Sequence, residues 1–503
     1  MKKISKRSII FIIFCFGLTL LNIIFFKKAY SINNIHDNKL FYITTLLLSL
    51  IELIIIIFLF IKNKKNYPLE KIFLLIIIPI GLLYLIFIPV GQVPDEHNHY
   101  ARSYSISEGY LVSSVTEEGY GYAKLPNQVY NLLIAKRNNS YKITFNNIKE
   151  KYDGEESNIF FTNTSLYNFI VYIPQVTGII IGKILHLPIL LIAYLARLFN
   201  FIVYTILIYF SIKLIPFLKK YIIFFALLPI SIQEAISISS DALTISLAIF
   251  LISYILYLKY NSKKIISNKE YILLFIISFI LSMCKIVYFP LVFFVLILPK
   301  EKFKTKKERL LKLFLIIFFC ILINGLWTLY ASRYLVETNV GVNAKEQVLF
   351  LITHPIKYLI IILRTIKGST VDLIYQLYGR YLLLIDLDII KFYPLISILI
   401  SIYLIATNEK KLEKKDRLLS IFIFICVIAL IFTSLYIQWT PLKRNVIWGL
   451  QGRYYIPIML LIPLFVYSKK ISSKKIENDT IFILGYTVFQ SISALCFIIY
   501  SCM

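Results

Sequence analysis

The sequence predicts an all-α polytopic membrane protein, and three observations lead to this prediction. Of the 503 residues, 59% are hydrophobic and only 16% are charged, whereas soluble domains are typically about 45–50% apolar and about 25% charged. Mean hydropathy is +0.77. The apolar residues are concentrated in runs of about 20 residues, the length that a helix needs to cross about 30 Å of hydrocarbon.

The apolar runs predict a bundle of about 13 transmembrane helices. The first run is followed by Phe25-Phe26-Lys27-Lys28 rather than a small-residue cleavage site, so we expect a retained first helix that starts in the cytoplasm. A further run, 166–185, is interrupted by Pro174 and Gly178, and we expect it to lie along the membrane. The 13 predicted spans lie near residues 9–26, 40–60, 71–90, 189–214, 221–238, 242–259, 271–284, 286–299, 309–330, 386–405, 417–436, 453–468 and 480–500.

The basic residues set the predicted orientation. If 166–185 does not cross, every strongly basic short loop falls on one side, and such loops face the cytoplasm. This places the C-terminus outside. The net charge of +27 is then a topology signal, and we expect no nucleic-acid partner. The basic loops are 62–71, 213–220, 259–269, 300–312, 410–417 and 469–475.

The six cysteines lie in or beside apolar segments and show no CxxC spacing. This distribution argues against a disulfide framework and against a zinc site.

The first polar cluster follows the third predicted span, on the outer side. Pro94, Asp95 and Glu96 form a helix-start signature. On the predicted helix Asp95, His99 and Arg102 share a face because they are spaced i, i+4, i+7. Two carboxylates at such an edge could act as base and metal ligand, but capping of the helix dipole explains them equally well.

Two further clusters also fall on the outer side. Gln233-Glu234 and the segment 237–241 lie between two spans, where Asp241 after two serines is a good capping arrangement, so the structural interpretation leads. Lys285 lies between two short spans, and a cation there is either functional or snorkels to lipid phosphate.

Near the C-terminus, Arg453 lies at the outer mouth of a span between Gly452 and two tyrosines. Arginine suits bidentate phosphate binding, although one arginine in an aromatic belt is the alternative. The neighbouring Gln451 is not typical of a belt, which favours a substrate role. The segment 343–365, which includes Gln347, is typical of a helix in the interface plane with lipid contact.

Several of these segments together resemble a large family of bacterial multi-spanning membrane proteins of unknown function, grouped with the GT-C glycosyltransferases. The matching segments occur in order and cover most of residues 90–460. They are QVPDEHNHYARSYSISEGYLVS (92–113), LYNFIVYIPQVTGIIIGKIL (166–185), SISSDAL (237–243), CKIVYFPLV (284–292), NAKEQ with HPIKYL (343–359), and YIQWTP with QGRYYIPI (436–458).

The resemblance implies an enzyme of the bacterial plasma membrane whose active site faces outward. Such enzymes move a sugar from a polyprenyl-phosphate carrier to an acceptor, here an envelope glycan or wall polymer. It implies Asp95 and Glu96 as the catalytic acidic pair. The leaving phosphate of such a donor needs charge stabilisation, and we expect Arg453 and Lys285 to bind it. His99, Arg102, Gln451, Asp241 and Gln347 would support the site or contact substrate. A divalent Mg²⁺ or Mn²⁺ ion, if one is used, would bind Asp95 or Glu96.

The same resemblance implies three parts of one membrane unit. These are a three-span segment (1–90), an outer loop with interfacial helices (91–188) and the remaining bundle (189–503). Two other functions stay open: a flippase or transporter of lipid-linked glycans, and a non-catalytic protein of envelope assembly. Transporters of this size often contain internal repeats, and the sequence shows none.

Overall fold

The structure is a computed structural model that describes most of the chain. The described ranges are 39–64, 67–131, 148–152, 154–260, 265–336, 341–383, 385–386, 392–408, 410–466 and 479–502, with isolated residues between 10 and 146. Most of the predicted first span and the basic loop 469–475 lie outside these ranges.

Helices dominate the described part of the chain. The α-helices are α1 Lys39–Lys64, α2 Leu69–Phe87, α3 Glu96–Ser107, α4 Asn127–Asn131, α5 Thr162–Ser165, α6 Ile173–Ile184, α7 Ile189–Leu214, α8 Lys219–Ala226, α9 Pro229–Ile236, α10 Asp241–Tyr260, α11 Asn268–Cys284, α12 Lys306–Ala331, α13 Ala344–Thr353, α14 Pro355–Leu377, α15 Phe392–Ala406, α16 Lys414–Gln438, α17 Ile462–Phe465 and α18 Asp479–Cys502. The 3₁₀ helices are η1 Phe169–Tyr172, η2 Ile286–Ile297, η3 Lys300–Lys302, η4 Ser332–Tyr334 and η5 Gly452–Leu461.

Seven helices of the described residues are long and apolar enough to cross a membrane, and an eighth span results if α13 and α14, which meet at a bend of 108°, are counted as one. The chain is therefore a membrane protein with several spans. Shorter apolar helices cover Phe169–Ile184, Ile286–Ile297, Tyr393–Ala406 and Gly452–Phe465. The count of about 13 spans stays a prediction.

The basic loops that the structure describes meet at one end of the bundle, which we call the basic end. Hydrogen bonds and ion pairs connect one loop to the next. Examples are Lys219 with Glu70, Lys259 with Asp416, and the Arg417 guanidinium with the Phe465 carbonyl. Helix α10 runs from Asp241 to this end, so Asp241 lies at the opposite end of the bundle.

The predicted span 221–238 is not one continuous helix, because the segment forms two short helices between the basic end and Asp241. Helix α8 ends at Ala226 and α9 begins at Pro229. A proline has no backbone N–H and its ring clashes with the preceding turn, so a continuous helix stops before it. Both helices are buried from Tyr221 onward. The irregular backbone at both ends of α9 is therefore enclosed by protein, as a membrane requires.

The all-α prediction misses a small antiparallel sheet in the outer loop. Strands β1 Ser114–Val115, β2 Gly121–Pro126 and β3 Glu156–Phe160 pair in that order. Gly119 turns the chain between the first two strands with φ of +97°. Strands β4 Tyr381–Leu382 and β5 Ile385–Asp386 form a second, two-stranded ladder. These strands are too short for periodicity to reveal them in the sequence.

Two apolar cores meet at helix α7. The larger core runs through the bundle from Leu48 to Cys502. The smaller core joins α3, the sheet and α6 to the first turns of α7 and to Ile238. The smaller core forms a layer that covers the end of the bundle opposite the basic end.

Two glycines let helix α6 lie directly against α7. A Cβ atom on Gly178 would lie 2.5 Å from the Leu195 carbonyl oxygen, and one on Gly182 would lie 2.9 Å from Ile192. Small residues four apart allow such close packing of helices in membranes. Near its C-terminus α6 is bound to the end of α3 by Lys183, which contacts Glu108, the residue after α3, at 2.6 Å. Helix α6 thus lies beside the end of α3, and the non-crossing path of 166–185 stays a prediction.

We expect Gly178→Val to force α6 away from α7, because the new Cβ meets backbone rather than a flexible side chain. Overpacking of this kind typically costs about 1–3 kcal/mol. The measurement is the apparent melting temperature of the detergent-purified protein. Gly325→Ala is the matched control, since a Cβ there has no neighbour within 4 Å. Equal melting temperatures for both variants would contradict the close packing.

Candidate functional site

Five charged side chains converge at the end of the bundle opposite the basic end. Arg453 lies in the middle: its Nη2 is 2.8 Å from Asp95 Oδ2, and its Nη1 is 3.4 Å from Glu234 Oε2 and 3.8 Å from Asp241 Oδ2. Lys285 pairs with the other oxygen of Asp241. We call these five residues the charge network. Three carboxylates face two cations, so one negative charge is in excess when all five are ionised.

Asp95 reaches Arg453 because of its backbone conformation. Its φ of 64° is left-handed, and helix α3 begins only at Glu96. Aspartate tolerates this region better than most residues. Asp95 therefore precedes the predicted helical face rather than lying on it; the structure still brings it into one cavity with His99, but not with Arg102. The side chain makes no capping hydrogen bond, and at half exposed it is the most accessible carboxylate of the network.

Charge sets the protonation state of Asp95. Burial raises the pKa of its carboxyl group, but the Arg453 guanidinium outweighs burial and holds that pKa below its usual value. Asp95 is therefore ionised throughout the neutral range.

Lys285 is held at the junction of α11 and η2. Its backbone is extended, so the helical path of α11 ends there and the side chain reaches Asp241. The ammonium group also lies 5.2 Å from the centre of the Tyr167 ring, a favourable cation–π distance. Lys285 thus lies in a polar site at the end of the bundle, and its ion-pair partner there is the Asp241 carboxylate.

Gly452 places Arg453. Its N–H donates to Gln376 Oε1 at 2.9 Å, and a Cβ atom would lie 2.3 Å from the Leu377 backbone nitrogen. Only glycine allows η5 to begin against the end of α14 at this distance. The Arg453 side chain is 6% exposed, and its Nε–H has no hydrogen-bond partner among the described residues.

The backbone between α9 and α10 is unwound, and side chains from other helices satisfy its polar groups. The amide of Asn200 donates to the carbonyls of Ser237 and Ser239, and the amide of Gln175 donates to those of Ile238 and Ser239. These bonds keep Glu234 and Asp241, on either side of the break, within reach of one arginine.

Glu96 belongs to this scaffold and does not line a cavity. Its two oxygens accept from Arg197, at 2.7 and 2.6 Å, and from the backbone N–H groups of Gly91 and Ile238. Glu96 and Arg197 are both fully buried. A carboxylate with four donors has no capacity left for a metal ion or a substrate. Arg197 could have been noticed in the sequence as a charged residue inside an apolar run.

His99 lines the site next to Asp95 and Lys285. Its Nδ1 is 2.8 Å from the Tyr172 hydroxyl, and its ring stacks on Tyr167 at 5.9 Å between centres. Burial, with Lys285 nearby, lowers the pKa of His99 to about 3. The imidazole is therefore neutral at physiological pH.

Two predicted site residues have partners away from the charge network. Arg102 donates to the Tyr110 and Leu111 carbonyls and closes the end of α3. Gln347 donates to the Thr440 carbonyl at 2.9 Å and fixes α13 to the segment after α16. Gln451, in contrast, lies one residue before Gly452 at the edge of the site.

Two cavities border the charge network and share Arg453. The network cavity, of about 220 Å³, contains Asp95, His99, Asp241 and Lys285, and its far wall is formed by α12 and α16. The amide cavity, of about 270 Å³, is lined by Gln233, Gln376 and Gln451, with Tyr381 and Arg453. Within the described residues, no group of three or more His, Cys, Asp or Glu side chains could hold a metal ion.

Residues 78–462 match the family of predicted membrane proteins designated DUF2142. The chain belongs to this family. The match covers the charge network and both cavities of the DUF2142 protein. No curated protein and no solved structure matches the chain.

Arg197→Met should destabilise this DUF2142 protein, because it leaves the Glu96 carboxylate buried without its cation. Breaking one partner of a buried pair typically costs about 3–5 kcal/mol. Adding Glu96→Gln should recover part of the loss. Lys124→Met, which removes an exposed ion pair with Glu156, should change the apparent melting temperature little. A melting temperature of Arg197→Met equal to that of the wild type would show that the pair is dispensable.

His99 should make the protein sensitive to acid. The native imidazole stays neutral down to a pKa of about 3, whereas an unfolded histidine binds a proton near pH 6.5. Between these values the unfolded state holds the extra proton, so stability falls as pH falls, by at most about 1.4 kcal/mol per pH unit.

His99→Gln should flatten the decrease in melting temperature between about pH 6.5 and 5, a window set by the histidine reference pKa. The exposed His354→Gln is the control and should keep the wild-type slope. If His99→Gln keeps the wild-type slope of melting temperature against pH, the imidazole binds a proton as readily in the folded protein as in the unfolded chain.

Proposed function

We propose that this DUF2142 protein is a glycosyltransferase of the GT-C type. It would move a sugar from a polyprenyl-phosphate carrier to an envelope glycan or wall polymer on the outer face of a bacterial plasma membrane. The observation that carries the proposal is the position of Asp95. It is the most exposed carboxylate of the network, and it lines one cavity together with Lys285 and Arg453.

The orientation follows from charge. The basic loops lie together at one end of the bundle, and such loops face the cytoplasm. The charge network lies at the opposite end, so it would face outward. Polyprenyl-linked sugars presented on that face would reach the network cavity directly.

The wall of the network cavity suits a lipid-linked donor. Trp327 and Ala331 of α12 line it. Neighbouring residues of the same helix, Leu326 and Leu329, are 54% and 75% exposed on the apolar surface of the bundle. A prenyl chain could lie along this surface in the membrane while its phosphate enters the cavity.

In the proposed reaction an acceptor hydroxyl attacks the anomeric carbon of the donor sugar, and Asp95 takes the hydroxyl proton. The bond between the anomeric carbon and the phosphate oxygen breaks, and the polyprenyl phosphate leaves with the bonding electrons. Lys285 and Arg453 stabilise the charge that develops on this oxygen. The free Nε–H of Arg453 and the remaining N–H bonds of Lys285 are the available donors.

The contacts assign different roles to the two acidic residues. Asp95 is the proposed base, and it is ionised at neutral pH. Glu96 is a positioning residue, because its four hydrogen bonds join the start of α3 to α7 and to the unwound segment. Neutral His99 would orient the acceptor or the donor sugar through its second ring nitrogen.

One observation favours a transporter of lipid-linked glycans as a second candidate. The break between α9 and α10 beside buried charges is a feature of many transporters. A transporter would need Asp95 only for binding or coupling. It would not form a glycosidic bond in any variant.

Asp95→Asn should abolish sugar transfer, since a positioned base typically contributes about 10²–10⁴ in rate. The amide keeps the shape of the side chain and can still accept a hydrogen bond from Arg453. The measurement compares envelope glycan composition and lipid-linked sugar in a deletion strain that expresses wild type, Asp95→Asn or the exposed control Glu118→Gln.

Transferase activity predicts that Asp95→Asn loses one sugar substituent and accumulates the lipid-linked donor, while Glu118→Gln behaves as wild type. If Asp95→Asn supports normal glycan composition at normal expression, Asp95 is not the base and the proposal fails.

A further inference from the structure

The amide cavity differs in chemistry from the network cavity, although Arg453 borders both. Three glutamine side chains and Tyr381 line it, and its remaining walls are apolar. Apart from Arg453, no charged side chain lines it. A cavity of about 270 Å³ approaches the size of small-ligand sites, about 300 Å³ and above, which are lined mainly by apolar groups with a few fixed polar ones.

Two of the three amides are held in place by the protein. Gln233 accepts from the Leu383 N–H at 2.9 Å and donates to Glu234 at 3.1 Å. Gln376 accepts from the Gly452 N–H at 2.9 Å and donates to Asp372 at 2.7 Å. Each fixed amide retains one N–H bond and one lone pair for a ligand.

The third amide is free to bind a ligand. The Gln451 side chain makes no hydrogen bond to any described residue, although it lies beside the rigid start of η5. An amide both donates and accepts hydrogen bonds, as a hydroxyl group does. No carboxylate lines the cavity, and its lining cation, Arg453, already faces three carboxylates. The three amides therefore match a neutral ligand with several hydroxyl groups.

We infer that the amide cavity binds a neutral sugar ring of the acceptor. The inference builds on the proposed function, because the acceptor hydroxyl must reach the donor where the two cavities meet. They meet at Arg453, whose guanidinium holds Asp95 on the network side. A sugar in the amide cavity would therefore present a hydroxyl group beside the proposed base, with the anionic donor on the other side of the arginine.

The test measures binding of neutral methyl hexosides to the detergent-purified full chain by saturation-transfer NMR. We expect at least one hexoside to bind, and Gln451→Leu to weaken it about 10-fold or more, the effect of losing one or two ligand hydrogen bonds. Gln438→Leu is the matched control, because it makes the same chemical change in the network cavity and should leave hexoside binding unchanged.

A short-chain polyprenyl phosphate separates the two cavities. If the hexoside occupies the amide cavity, saturating polyprenyl phosphate should not displace it. Mutually exclusive binding, in which the hexoside affinity keeps falling as polyprenyl phosphate is added and reaches no limiting value, would place both ligands in one cavity and overturn the inference. Equal hexoside binding by wild type and Gln451→Leu would also overturn it. Binding that depends on Gln451, together with normal glycans in the Asp95→Asn strain, would retain the sugar site and remove only the transferase proposal.

Discussion

The position of Arg453 depends on a requirement for charge compensation. A buried guanidinium at the end of a membrane bundle is stable only with anionic partners. Here the partners come from the segment before α3, from α9 and from the start of α10. One side chain therefore holds three parts of the chain that are far apart in sequence. The glycine before it lets η5 start directly against the end of α14, because it has no Cβ to meet the Leu377 backbone nitrogen.

The pair of Glu96 and Arg197 plays a separate role. It contributes nothing to the wall of either cavity, yet its hydrogen bonds cross from α3 to α7 and to the break between α9 and α10. The adjacent residues Asp95 and Glu96 thus have different structural roles. Asp95 faces the cavity because of its left-handed backbone, and Glu96 turns inward because it begins the helix.

The sequence contained enough information to predict the membrane class, the grouping of the basic loops and several residues of the charge network. Apolar length and loop charge are local properties, and each leaves a direct signal. The roles within the network depend on partners far away in the chain. Nothing near Glu234 shows that it faces Arg453, and nothing near Arg102 shows that it closes its own helix. The break at Pro229 and the conformation of Asp95 are likewise set by tertiary contacts, which periodicity cannot reveal.

The shared wall at Arg453 has a thermodynamic consequence. A ligand that takes a hydrogen bond from the guanidinium in one cavity alters how strongly the same group attracts its carboxylates and any ligand in the other cavity. Such coupling is reciprocal. If a ligand in one cavity changes the affinity of the other cavity by some factor, a ligand in the other cavity changes the affinity of the first by the same factor. The two cavities are thus energetically linked through one side chain, and no movement of a helix is needed to link them.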